Sequence, residues 1–216
     1  MTLVDRAAVV DLLGALAYGE LTAFERLAVD SRFAPTLDDK TKLAGMACAE
    51  FGHFRRLTEH LSVEVGVDPV EAMTPFIAPV DEFHESTRPS DWLEGLVKAY
   101  VGDNIAADFY REISVYLDPR TQDLVLEVLK DTGHAAFAVD RVSAAIAADR
   151  RVAGRLALWG RRLVGEALTQ AQRVAADRDS LISLVAGSGD LGEFSRMLGR
   201  LTERHTERMA SLGLSA

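Results

Sequence analysis

The chain has 216 residues, 48% of them hydrophobic, enough to bury a core in one compact domain, and only 16 Gly and 6 Pro, too few for a many-stranded sandwich. Its formal charge of -9 excludes a broadly basic nucleic-acid-binding surface, and the single cysteine, Cys48, excludes an intramolecular disulfide. Apolar runs such as 180–187 fall well short of the ~18 residues needed to span a bilayer, and the first residues lack a signal pattern, so a cytoplasmic protein with no membrane segment is expected.

Apolar residues recur at helical spacing in six long stretches, which predicts an all-α fold. Helix one is expected from about Asp5 to Arg32, with Val9, Leu13, Leu16, Glu20, Phe24 and Leu27 on its stripe. Helix two starts near Asp38, a candidate cap, and places Leu43, Met46, Glu50, His53, Leu57 and Leu61 on one face before ending near Gly66. Residues 66–90 carry Pro69, Pro75, Pro79 and Pro89 and read as a long crossover with one or two short turns, with His84 on its surface. Helix three, capped by Ser90 or Asp91, aligns Leu93, Leu96, Tyr100, Asp103, Ala107, Tyr110 and Leu117, and Asp118-Pro119 closes it. Helix four aligns Leu124, Val128, Asp131, His134, Ala138, Val142 and Ala145.

Residues 150–178 repeat the period with Val152, Leu156, Trp159 and Leu163 and hold seven arginines against two acids, a stripe able to meet phosphates or simply solvent. A sixth helix follows the Gly187-Ser188-Gly189-Asp190 break. The last two helices form either a hairpin laid against the bundle or a homodimer surface. Residues 5–148 are thus the four-helix bundle, and 149–216 the addition within the one domain 1–216. Tyr18 and Tyr100 lie within a turn of the polar stripe residues and read as donors near them or as core. His205 reads as a satisfied core histidine and Cys48 as a small buried residue.

Each of the first four helices carries an acid, or an acid and a histidine, inside its own apolar stripe. An unpaired carboxylate in a packed interface costs several kcal/mol, so four facing one core require neutralisation, and two divalent cations supply it. Glu50 and His53, like Asp131 and His134, are three residues apart and share a helix face. The segments read as a duplicated pair: Gly19-Glu20 corresponds to Gly102-Asp103, and Glu50-Phe51-Gly52-His53 to Asp131-Thr132-Gly133-His134. That correspondence selects Asp103 over Asp108. The four Gly preceding the proposed ligands cost helix stability, which room for a metal, dioxygen or substrate, a local helix distortion, or close helix packing would explain.

This pattern resembles the ferritin-like di-iron carboxylate superfamily, and within it the bacterial tRNA hydroxylase-like (MiaE-type) proteins. The resemblance implies two iron ions, with manganese or zinc as alternatives. It also implies a half-site of Glu20, Glu50 and His53, a second of Asp103, Asp131 and His134, and an oxygen-dependent hydroxylase fed by an electron donor. A modified tRNA nucleoside is the substrate it suggests. The chain carries Asp at 103 and 131 where that superfamily more often has Glu. An iron-storage or ferroxidase protein and a non-catalytic metal-stapled module are the rival readings.

Overall fold

A computed structural model describes residues 6–130, 133–181 and 191–216, without the side chains of His134, Ala175 and residues 191–195. Every regular element among the described residues is helical. In chain order these are α1 (Arg6–Asp30), α2 (Leu37–His60), α3 (Pro69–Met73), α4 (Ile77–Ser86), α5 (Trp92–Val97), α6 (Asp103–Ser114), α7 (Pro119–Val128), α8 (His134–Ala148), α9 (Arg151–Asp177) and α10 (Leu191–Ser211).

The caps follow from local chemistry. Thr36, not Asp38, caps α2: its hydroxyl accepts from the Asp39 amide at 3.1 Å, while Asp38 sits in the first turn beside the helix's positive end. A π turn, Leu61–Val65, follows α2, and Gly66 at φ 73 ends it in the left-handed conformation. Asp91 caps α5, and Glu94 returns to the Ser90 amide at 2.8 Å, a reciprocal capping box. Asp118 caps α7 with Pro119 at its first position.

Two expectations are corrected. The crossover is helical for much of its length, because Pro69 and Pro75 fall at helix first turns, where a missing N–H costs nothing. Helix four is not continuous: α7 ends at Val128, and Gly133 has φ 99, outside the helical region, before α8 begins. Asp131 itself lies outside the described residues.

The core divides into two apolar clusters. One gathers Leu12, Leu13 and Leu16 of α1, Leu57 of α2, Phe76, Ile113 of α6, and Val125 and Val128 of α7. The other gathers Leu27, Leu43, Val97, Ile105, Val142, Leu156, Leu163 and Met209. Along α1, α2 and α6 the chain passes from one cluster to the other, and Glu20, Glu50 and His53 fall at the changeover, a polar waist between two dry layers. With the 3-10 turn after it, α1 has the length and apolarity of a membrane span. Burial of Leu12, Leu13, Leu16 and Leu27 in these clusters accounts for that apolarity.

The last two helices lie against the rest: α9 on α4, α5 and the π turn Lys98–Gly102, and α10 on α6, that π turn and α9. Asp108 and Glu112 of α6 anchor α10. Asp108 is 3% exposed and pairs with Arg208, Arg204 and Arg111, and Glu112 pairs with Arg200 and Arg204. His205 is buried as expected, but neither ring nitrogen has a hydrogen-bond partner, and burial lowers its pKa. Cys48 is exposed rather than buried.

Candidate metal centre

The geometry of α1 and α2 brings three of the six expected ligands together. His53 Nδ1 stands 3.3 Å from Glu20 Oε2 and 3.3 Å from Glu50 Oε2, and one ligand atom from each residue falls within 4.8 Å of the others. Ligands bonded to one ion at ~2.1 Å stand ~3.0–3.4 Å apart, so the two 3.3 Å separations from His53 fit ligands of one ion. Glu50 and His53 come from one face of α2 because they are three residues apart, and Glu20 faces them from α1.

Burial sets the protonation of the cluster. Glu20 is 9% exposed, and its Oε2 is sealed from water with no well-formed hydrogen bond, only His53 Nδ1 at 3.3 Å. Loss of hydration pushes its carboxyl well above the usual range, and Glu50 beside it pushes the same way. The two carboxylates hold the His53 imidazole protonated, raising its pKa to about 9. In the metal-free protein a proton on His53 thus partly offsets two acids. A divalent cation would replace that proton, satisfy the orphaned oxygen and neutralise both carboxylates. The residues present fit a metal ion. Two carboxylates and one imidazole suit iron or manganese, and zinc as well.

Of the second set of expected ligands, only the side chain of Asp103 is described. Asp103 Oδ1 accepts from Arg26 Nη2 at 2.8 Å. The side chains of Asp131 and His134 lie outside the described residues. Asp108, set aside in favour of Asp103, is engaged by its arginines. Tyr18 donates to Asp81 at 2.8 Å, and burial with that bond raises its pKa to about 12. Tyr100 pairs with Ser211 at 2.9 Å. Neither is hydrogen-bonded to the cluster. The tyrosine that feels it is Tyr110 of α6, whose phenol is pushed up by burial and by the charge of Glu20. Its place on the helix-three stripe was visible, but nothing in the spacing distinguished it from a core residue.

His84 overturns its expected surface position. It packs between α1 and the π turn, where Arg26 Nη1 is 3.0 and 3.2 Å from its two ring nitrogens and Thr22 Oγ1 is 3.2 Å from Nε2. Burial, with Arg26 and Lys98 nearby, lowers its pKa to about 2, so the imidazole is neutral. The glycines before the ligands are not explained by close packing: a Cβ at Gly19, Gly52 or Gly133 meets nothing within 4 Å, and at Gly102 only ordinary contacts. Gly102 instead closes the π turn that leads into Asp103.

The arginine stripe is largely engaged within the chain. Arg155 pairs with Asp91 and Glu94, Arg173 with Glu82 and Arg178 with Asp11, while Arg162 donates to the Ser86 carbonyl and Arg161 to that of Ser215.

A helical bundle with a partly buried Glu/Glu/His cluster at its waist is a scaffold able to hold a metal ion. A family model described as a ferritin-like domain of actinomycetes matches residues 4–188, most of the chain, and the chain belongs to that ferritin-like family. Comparison with curated proteins finds no match.

Proposed function

We propose that the protein is an iron-dependent oxidoreductase that uses dioxygen, with Glu20, Glu50 and His53 as metal ligands. The observation that carries the reading is the buried Glu20 carboxylate, gathered with Glu50 and His53 so that one ligand atom of each lies within 4.8 Å of the others. The ferritin-like family supports it, since its bundle supplies the dry layers above and below the cluster. Bound iron supplies Lewis acidity and a one-electron couple at that waist. The chain's own part is to present the carboxylates of Glu20 and Glu50, to release the His53 proton to solvent as the ion enters, and to keep the site dry with the leucines around it. Iron is favoured over zinc by the dioxygen chemistry of the resembling hydroxylases. The modified tRNA nucleoside rests on that resemblance as well. The engagement of the arginines with internal partners argues for a small substrate rather than a long phosphate backbone.

The test loads full-length protein with ferrous iron under anaerobic conditions, then follows oxygen uptake. Stoichiometric uptake that disappears in Glu20→Gln and His53→Ala is expected. Iron retained without oxygen uptake would contradict the enzyme and leave a metal-stapled fold. Many irons per chain would indicate storage, and no bound iron would overturn the reading. An unchanged profile of tRNA nucleosides in cells lacking the protein would remove the nucleoside from consideration.

A further inference from the structure

We propose that the cleft between α4 and α9 binds a small uncharged molecule with an apolar body and an N–H that donates to Gln170. The inference is independent of the metal-binding reading.

The signal begins in the sequence. Leu163, Ala167, Gln170 and Val174 follow one another at helical spacing along α9, and an amide stands where the stripe is otherwise aliphatic. In the fold Leu163 and Ala167 belong to one apolar cluster and Val174 to the other, and Gln170 falls between them. Gln170 is 9% exposed, and its Oε1 is sealed from water without a hydrogen bond. A carbonyl oxygen in that position has lost its hydration and gained no donor in return. No bond anchors it either, so a turn of the amide brings it to the cleft that the side chain lines.

That cleft has a volume of about 270 Å³, near the lower end of the range of small-molecule sites. It stays open because the wall facing α9 carries short or ring-closed side chains, Pro75, Ala78 and Pro79. Two contacts bridge the gap: Arg173 donates to Glu82 at 2.6 Å, and the Arg178 guanidinium lies 5.6 Å from the centre of the Phe76 ring. The arginines are thereby engaged, Arg173 by Glu82 and Arg178 also by Asp11 at 3.6 Å. Asp177, the other charged residue of the lining, is exposed and keeps its hydration. An anionic ligand would have to compete with Glu82 or Asp11 for a guanidinium, whereas a neutral one leaves both pairs intact. The apolar wall and the unpaired amide together ask for a ring or short chain bearing an N–H, as an amide, a lactam or a ring N–H heterocycle does.

Benzamide and 2-pyridone, each with an apolar ring and an N–H donor, serve as probes, with toluene as the ring without the donor. Binding to the full-length protein is titrated by ligand-observed saturation-transfer NMR. Saturable binding of both amides is expected at millimolar concentration. Gln170→Leu, which keeps the bulk and removes the amide, should weaken them about tenfold and leave toluene unchanged. It should also melt no lower than the wild type, since it removes a buried oxygen without a partner, so the weakening is not a folding defect. Ala78→Phe fills the cleft from an exposed position and should abolish binding of all three, with helicity intact by circular dichroism. No saturable binding of either amide, equal amide affinity in Gln170→Leu, an equal fall for toluene, or binding that survives Ala78→Phe would each overturn the inference. All four outcomes leave the metal-binding reading standing.

Discussion

At Glu20, burial and charge pull against each other. Its carboxylate sits between the two apolar clusters, 3.3 Å from an imidazole that it and Glu50 keep protonated. The sign of the pH dependence follows. His53 in the folded chain holds its proton to about 9, against 6.5 when free, so its stabilisation is complete below 6.5 and is lost as pH rises through 9. Glu20, with its carboxyl also raised, acts in the same direction. The melting temperature of the metal-free protein, measured in chelator, should fall between pH 6.5 and pH 9. Metal affinity should rise over the same range, because the ion displaces the His53 proton. A flat melting temperature would contradict the assigned protonation. The three residues were legible in the sequence because stripe position and a spacing of three are local properties. Asp103 was not, because its partner Arg26 is 77 residues away and the match depends on how far α1 and α6 are offset along their axes.

At the scale of the helix, two glycines that look alike in sequence separate. Gly52 lies inside α2 with open space where a Cβ would stand, so Gly52→Ala should raise stability by about 1 kcal/mol through helix propensity alone. Gly133 also has open space, but its φ of 99 is strained for any residue with a Cβ, so Gly133→Ala should cost about 1 kcal/mol or more. Thermal melts of the two variants should shift in opposite directions, and shifts of the same sign would show that the break before α8 is misplaced. Periodicity read 119–148 as one helix because the stripe phase survives the interruption and glycine is tolerated in either setting. The cap at Asp91 was readable, since an acid beside a first turn satisfies free amides whatever the tertiary context. The position of His84 was not, because a proline-rich crossover gives no indication of which helix it will cover.

For the whole molecule, charge is arranged to bind the C-terminal helices to the bundle. The arginines of α9 and α10 meet acids elsewhere in the chain, among them Asp91, Glu94 and Glu82 for α9, and Asp108 and Glu112 for α10. Asp108→Ala would leave Arg208, 13% exposed, without its carboxylate and should destabilise the protein by about 3 kcal/mol, lowering its melting temperature by several degrees. A change within experimental error would mean that α10 is held by its apolar face alone. The all-α architecture was plain from six periodic stretches and few Gly and Pro. The sequence left open whether the arginine stripe faced ligand, solvent or protein, because a salt bridge between distant segments has no local signature.

The central claim is that a metal ion sits at the waist between Glu20, Glu50 and His53. Crystals of the full-length protein soaked anaerobically with ferrous iron and measured at the iron absorption edge test it directly. The predicted result is one anomalous peak within bonding distance of Glu20 Oε2, Glu50 Oε2 and His53 Nδ1. No peak at the Glu20 cluster would contradict it.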